Sequence, residues 1–127
     1  MKKGFKQLLQ EANAAIVTYT PEEALPKVAD SNYVFVDIRD QPELVRDGII
    51  PAAVHASRGM LEFLVDPESP YHNPVFAEDK QFVLYCASGG RSAFAAQRLQ
   101  EMGLSVSHMS GGLKGWKAIN GPVTPFA

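Results

Sequence analysis

Gln81-Phe82-Val83-Leu84-Tyr85-Cys86-Ala87-Ser88-Gly89-Gly90, continued by Arg91-Ser92-Ala93-Phe94-Ala95-Ala96-Gln97-Arg98-Leu99, is the stretch that decides the fold. Phe82 to Tyr85 form an unbroken apolar run, the mark of a strand covered on both faces. Two glycines then interrupt the pattern, and alanine and leucine return at helical spacing. Ala95, Leu99 and Met102 fall on one face of the expected helix, and Gly103 closes it. A buried strand, a glycine turn and a helix make the front half of a parallel β–α unit, which calls for an α/β fold.

The flanking sequence extends this pattern in both directions. Tyr33-Val34-Phe35-Val36-Asp37-Ile38-Arg39 predicts a second buried parallel strand, ending in charges. Asp40-Gln41-Pro42-Glu43-Leu44-Val45 begins a short helix that Gly48 ends. Ala53 to Ala56 is a short strand and residues 58–65 a helix. Asp66 to Pro74, with three prolines, is a surface excursion. Upstream, Phe5 to Ala15 reads as an amphipathic helix and Ile16 to Tyr19 as a β-branched edge strand. Thr20-Pro21-Glu22-Glu23 is a helix start with an N-cap threonine, a proline at the first position and a glutamate three after the cap. Pro26 shortens that helix. Downstream, Val106 to Met109 is the last strand, and Gly111-Gly112-Leu113-Lys114-Gly115-Trp116 turns into a final short helix.

The chain has 127 residues, which suits one domain over 1–127 with its core at about 14–120. A chain of this size buries about two-thirds of its unfolded surface and needs no disulfide or metal for a core. The single cysteine excludes an internal disulfide and a multi-cysteine zinc site, and suits a reducing compartment. A net charge of −2 offers no basic surplus for nucleic acid or an anionic membrane. The basic stretch Met1 to Glu11 lacks the apolar run of a signal peptide, and nothing reaches transmembrane length. The expectation is a soluble cytoplasmic protein, monomeric or a small oligomer, with no nucleic-acid or membrane partner.

Cys86 stands where ligands bind in such sheets, beyond the carboxyl end of a strand. Backbone N–H groups and the positive end of a helix favour an anion there, hence thiolate over thiol. Gly89 and Gly90 allow the positive φ that curls a short loop until successive N–H groups face one point. Ser92 can donate its hydroxyl to the sulfur or cap the helix. Arg91 either points into the cavity or binds carbonyls and carboxylates at the sheet end. A lone cysteine is also commonly a small buried hydrophobe. The arginine five residues on, beside two glycines, tips the balance toward chemistry.

Cys86-Ala87-Ser88-Gly89-Gly90-Arg91-Ser92 resembles the active-site loop of rhodanese-family sulfurtransferases. Val36-Asp37-Ile38-Arg39 resembles that family's first core strand, and Gly48-Ile49-Ile50-Pro51-Ala52-Ala53 its Gly-His-Ile-Pro-Gly-Ala segment. Ser110-Gly111-Gly112-Leu113-Lys114-Gly115-Trp116 resembles its closing Gly-Gly-x-x-x-Trp signature. The four matches come in family order and cover about residues 14–120. The resemblance implies a rhodanese-like α/β domain, with a mostly parallel central sheet flanked by helices on both faces. It implies a two-step transfer without cofactor or metal. A small donor, thiosulfate or a persulfide, gives its outer sulfur to Cys86, and cyanide or a thiol, including a protein thiol, removes it. Cys86 is then the nucleophile. The backbone of Ala87, Ser88, Gly89, Gly90, Arg91 and Ser92 cradles the outer sulfur, and Arg91 supports the anion.

Related phosphatases place five residues between cysteine and arginine, whereas this chain has four, a tighter ring suited to a sulfur atom or thiosulfate. The rival readings are a phosphatase or arsenate reductase using the same thiolate, and a regulatory binding module of the same fold. Ala87 replaces an arginine frequent in the family, which removes a cation from the pocket mouth and bears on thiosulfate preference. Ile49 replaces the usual histidine and Ala52 the usual glycine, changes expected to touch packing rather than chemistry. Arg58, after a predicted short strand, is the candidate to line the pocket in place of the missing cation. Asp37 and Arg39 are expected to satisfy turn backbone at a strand end. Trp116 is expected in the core. His55, His72 and His108 lack metal-ligand spacing. His72 is expected in solvent, and the sequence supplies no geometry to make His55 or His108 a base. Glu62, Asp66, Glu68, Glu78 and Asp79 are expected to be solvated.

Overall fold

Val83 and Tyr85 face one way from the central strand while Phe82, Leu84 and Cys86 face the other, and each set builds its own core. The computed structural model describes residues 1–127. Its five strands are β1 (Val17–Tyr19), β2 (Tyr33–Asp37), β3 (Val54–His55), β4 (Gln81–Tyr85) and β5 (Val106–Met109). They form one sheet in the order β1-β5-β4-β2-β3, and every pairing is parallel. The helices are α1 (Phe5–Ala15), α2 (Pro21–Ala24), α3 (Gln41–Asp47), α4 (Leu61–Val65), α5 (Gly90–Glu101) and α6 (Gly112–Ala118). The expected α/β fold with helices on both faces is what the chain adopts. No helix is long and apolar enough to cross a membrane.

On one face, Val36, Ile38, Phe82, Leu84 and Cys86 pack with Leu61 and Val65 of α4 and with Ala95, Ala96 and Leu99 of α5. The alanines let α5 approach the sheet closely. On the other face, Phe35, Val83, Tyr85 and Met109 meet Ala24 of α2 and Leu113 and Trp116 of α6. Trp116 is fully buried, lies 6.2 Å from the Phe35 ring, and donates its indole N–H to the Pro122 carbonyl at 2.8 Å.

Local signals account for the element ends. Thr20 and Glu23 form the expected capping box, and α2 passes into a 3₁₀ turn at Leu25–Lys27, where Pro26 cannot continue it. At the start of α3 the Asp40 N–H donates to the Glu43 carboxylate at 2.9 Å. The structure corrects four expectations. Residues 58–65 are a 3₁₀ turn over Arg58–Met60 followed by α4, not one helix. Met102 caps α5 and is exposed, because the helix has ended before that turn can face the sheet. His72 Nδ1 lies 3.1 Å from the Leu64 carbonyl rather than free in solvent. Glu62 joins Arg58 and Arg98 in an ion-pair network across α4 and α5. Ala52 adopts φ 65° at the third position of a turn closed by the Ala53 N–H on the Ile50 carbonyl. Pro51 in the second position and positive φ in the third are the type II pattern, so the alanine sits where glycine costs nothing.

Candidate active site

Strand parity sends the Cys86 side chain toward α5, and the loop that follows wraps back over it. Cys86 is 1% exposed. The sulfur is not sealed in hydrocarbon, however. The Gly89 N–H donates to Sγ at 3.2 Å and the Ser92 N–H at 3.4 Å, while Sγ donates to the Ser92 hydroxyl at 3.5 Å. The N–H groups of Ala87, Ser88, Gly90 and Arg91 have no acceptor in the protein.

Two glycines explain how the loop holds this shape. Gly89 has φ 108°, outside the range of most side chains, and its missing Cβ leaves room for the Gly111 backbone. Gly112, at φ 59°, packs directly on the loop; a Cβ there would fall 2.5 Å from the Cys86 carbonyl oxygen. The N–H groups of Leu113 and Lys114 then bind the Cys86 and Ala87 carbonyls at 2.9 and 3.1 Å. With those carbonyls turned outward onto α6, the loop presents its N–H groups on the opposite side.

The side chains divide into those the structure gathers and those it disperses. Ser92 is buried and bridges Sγ to His108, whose Nδ1 lies 2.9 Å from Oγ. His108 Nε2 lies 3.2 Å from Asn13 Oδ1 of α1. Burial holds the His108 imidazole neutral, with its pKa lowered to about 4. Sequence spacing offered no sign of this contact. A mid-strand histidine opposite a helix serine was the available clue, and it requires the strand order to interpret.

Arg91 turns away from the sulfur to the carboxylate alternative. Its two terminal nitrogens each donate at 2.9 Å to the two oxygens of Glu43, which also accepts from the Asp40 N–H. The paired guanidinium lowers the Glu43 pKa to about 2, and Arg91 is raised in return. Arg91 therefore offers its backbone N–H to the loop while its charge is balanced. Arg58 does not serve the loop as expected: its guanidinium binds Glu62 at 2.8 Å, one helical turn on. Asp37 and Arg39 meet each other at the end of β2. Both are buried, bound through Nε and a terminal nitrogen, and Arg39 also donates to the Gly48 carbonyl at 2.7 Å. Beside Ala87 a cavity of about 230 Å³ is lined by Arg39, Asp47, Leu113, Lys114 and Lys117. Neither lysine forms a salt bridge, and the Asp47 carboxylate in the same cavity feels the charge of Lys117.

Comparison with known proteins gives the family of the chain. A family model described as the rhodanese-like domain matches residues 20–119. YtwF of Bacillus subtilis, which carries the provisional name of sulfurtransferase, is 31% identical over 94 residues, covering 74% of this chain and 82% of that protein. A Rhodopseudomonas palustris protein of unknown function, described as a possible tyrosine phosphatase, superposes with a TM-score of 0.93 at 50% identity, over 98% of this chain and 96% of that one. A rhodanese-related protein of Thermoplasma volcanium superposes with a TM-score of 0.69 at 23% identity, over 85% of this chain and 97% of the other.

Proposed function

Because this chain belongs to the rhodanese-like domain family, we propose that it is a sulfurtransferase carrying sulfane sulfur as a persulfide on Cys86. The observation that carries this reading is the ring of loop amides. Two N–H groups already donate to Sγ, and four others on the same loop are unfilled. Such donors suit an anionic sulfur and, beyond it, a second one.

The thiolate attacks the outer sulfur of thiosulfate or of a persulfide donor. A new S–S bond forms to Cys86, the donor's own bond to that sulfur breaks, and sulfite or a thiolate leaves with the electron pair. Cyanide or an acceptor thiol, including a protein thiol, then takes the outer sulfur and returns Cys86 as thiolate. The fixed N–H groups stabilise negative charge on sulfur throughout. The near-complete burial of Cys86 limits attack to a sulfur slender enough to enter the loop. A free thiol of this kind belongs in a reducing compartment such as the cytoplasm.

Phosphoester hydrolysis is the second reading, raised by the description of the 50%-identical neighbour. Two features weigh against it. The loop holds four residues between Cys86 and Arg91, and the Arg91 guanidinium is committed to Glu43. Intact-mass measurement after incubation with thiosulfate or a persulfide donor separates the readings. A gain of one sulfur atom, removed by cyanide and absent in Cys86→Ser, is expected. No gain alongside phosphoester hydrolysis makes the protein a phosphatase; neither activity makes it a binding module.

A further inference from the structure

The buried chain Cys86–Ser92–His108–Asn13 has a defined direction. The Asn13 Nδ2 donates to the Leu9 carbonyl at 3.0 Å, which leaves Oδ1 to face His108 Nε2. An oxygen acceptor there assigns the imidazole proton to Nε2. Nδ1 is then the acceptor, and the single Ser92 hydroxyl hydrogen lies on the 2.9 Å path to it rather than on the 3.3 Å path to the Gly89 carbonyl. The Ser92 oxygen, its hydrogen engaged, accepts from the Cys86 thiol. Every link is oriented to carry a proton away from sulfur.

We propose that Ser92 and His108 form the proton exit of the Cys86 thiol, and that loss of the thiol proton switches His108 from its Nε2–H to its Nδ1–H tautomer. The inference rests on the proposed sulfur chemistry of the same thiol. The S–H bond breaks as its proton passes to the Ser92 oxygen, and the former hydroxyl hydrogen passes to Nδ1. The Nε2 proton then leaves to water through a cavity of about 190 Å³ lined by Asn13, Gly89, His108 and Ser110. Asn13, exposed on α1, turns its amide to donate to the vacated Nε2. The sum is one thiol converted to thiolate and one proton delivered to solvent, with no redox change. The new Ser92 hydroxyl hydrogen now faces sulfur, joining the Gly89 and Ser92 N–H groups as a third donor.

The surroundings suit a transient carrier. His108 has no carboxylate or second cation among its contacts: Thr18 of β1 and Leu84 of β4 stand opposite it in the sheet, and Ser92 and Asn13 are its polar partners. Arg91 is the charged group that interacts with Cys86, and Glu43 balances it. A buried imidazole without a counter-charge does not keep a proton, which a relay requires. His108 is thus a positioning residue acting through Ser92.

Nitrogen-15 NMR of the His108 ring tests this without any sulfur donor. As the pH of the protein solution is raised, the Nε2–H signature is expected to give way to Nδ1–H in the wild type, and to persist in Cys86→Ala and Ser92→Ala. A wild-type ring that keeps Nε2–H throughout overturns the proposal. Single-turnover sulfur loading supplies a second readout. Ser92→Ala and His108→Gln are expected to slow loading by about tenfold to 10²-fold and to move its pH profile upward. Imidazole added to His108→Ala is expected to restore rate. Folded variants with wild-type rate and profile overturn the relay. Failure of the wild type to load any sulfane sulfur instead overturns the sulfurtransferase reading and leaves the tautomer result to decide the relay.

Discussion

The buried polar groups at the ends of neighbouring strands β2 and β4 are built on opposite plans. At β2, Asp37 and Arg39 are a full-charge pair in which each side chain is held from several directions, and the Gly48 carbonyl takes a further guanidinium hydrogen. At β4, the sulfur of Cys86 meets the neutral pair Ser92–His108, and one hydroxyl hydrogen serves them. The first assembly has one stable arrangement, because any rearrangement strands a buried charge. The second has two arrangements of similar hydrogen bonding, because a neutral hydroxyl and imidazole can exchange donor and acceptor roles. A fold can thus place a rigid support and a chemically responsive group side by side on adjacent strands of one sheet.

The largest expected break in this comparison is Asp37→Ala. It leaves the buried Arg39 charge only the longer contact to Asp47, at 3.7 Å, and urea unfolding is expected to show a loss of about 3–5 kcal/mol. A loss comparable to that of an ordinary hydrogen bond would end the distinction. Next comes the acid side of the stability curve. His108 is held neutral with its pKa lowered from 6.5 to about 4, so its contribution is complete above pH 6.5 and disappears as pH falls toward 4. The loss amounts to about 3 kcal/mol and is expected to vanish in His108→Gln. Glu43, lowered from 4.5 to about 2 by its bond to Arg91, adds a second limb between those values. Glu43→Gln is expected to remove that limb alone, a separation visible in urea midpoints measured against pH.

Gly112→Ala sharpens the contrast from the loop side. Its Cβ meets the Cys86 and Ala87 backbone at 2.5 Å, so the loop has to move. Stability is expected to fall by about 1–3 kcal/mol and sulfur loading by about 10²-fold. Ser92→Ala leaves the His108 Nδ1 without a donor and is expected to cost about 1–2 kcal/mol by the same unfolding assay. The smallest effect is a gain. Ala52→Gly relieves the φ of 65° and is expected to stabilise by about 0.5–1 kcal/mol, since the strain removed exceeds the added freedom of the unfolded chain.

Much of this architecture was legible one element at a time. The apolar runs around Phe35 and Val83 marked strands buried on both faces, and Thr20, Pro21 and Glu23 marked a helix start. The glycine-containing loop after Tyr85 predicted amides near Cys86, and two of them, from Gly89 and Ser92, donate to its sulfur. The side-chain partners were less accessible. Arg91 was left open between cavity and carboxylate, and Glu43, 48 residues away, takes it. Arg58 was expected at the pocket and is held by Glu62 instead. Met102 continued a helical stripe that the chain abandons at its cap.

By itself the sequence determined the buried strands around Phe35 and Val83, the capped start at Thr20 and the glycine turn after Tyr85. These follow from alternation, capping and turn chemistry, whose range is a few residues. Tertiary structure decided what the sulfur meets. Placing β5 beside β4 brings His108 to Ser92 across 16 residues, and packing α1 on α5 brings Asn13 to His108 across 95. Such contacts depend on strand order and on how helices lie over the sheet, which no local period in the chain records.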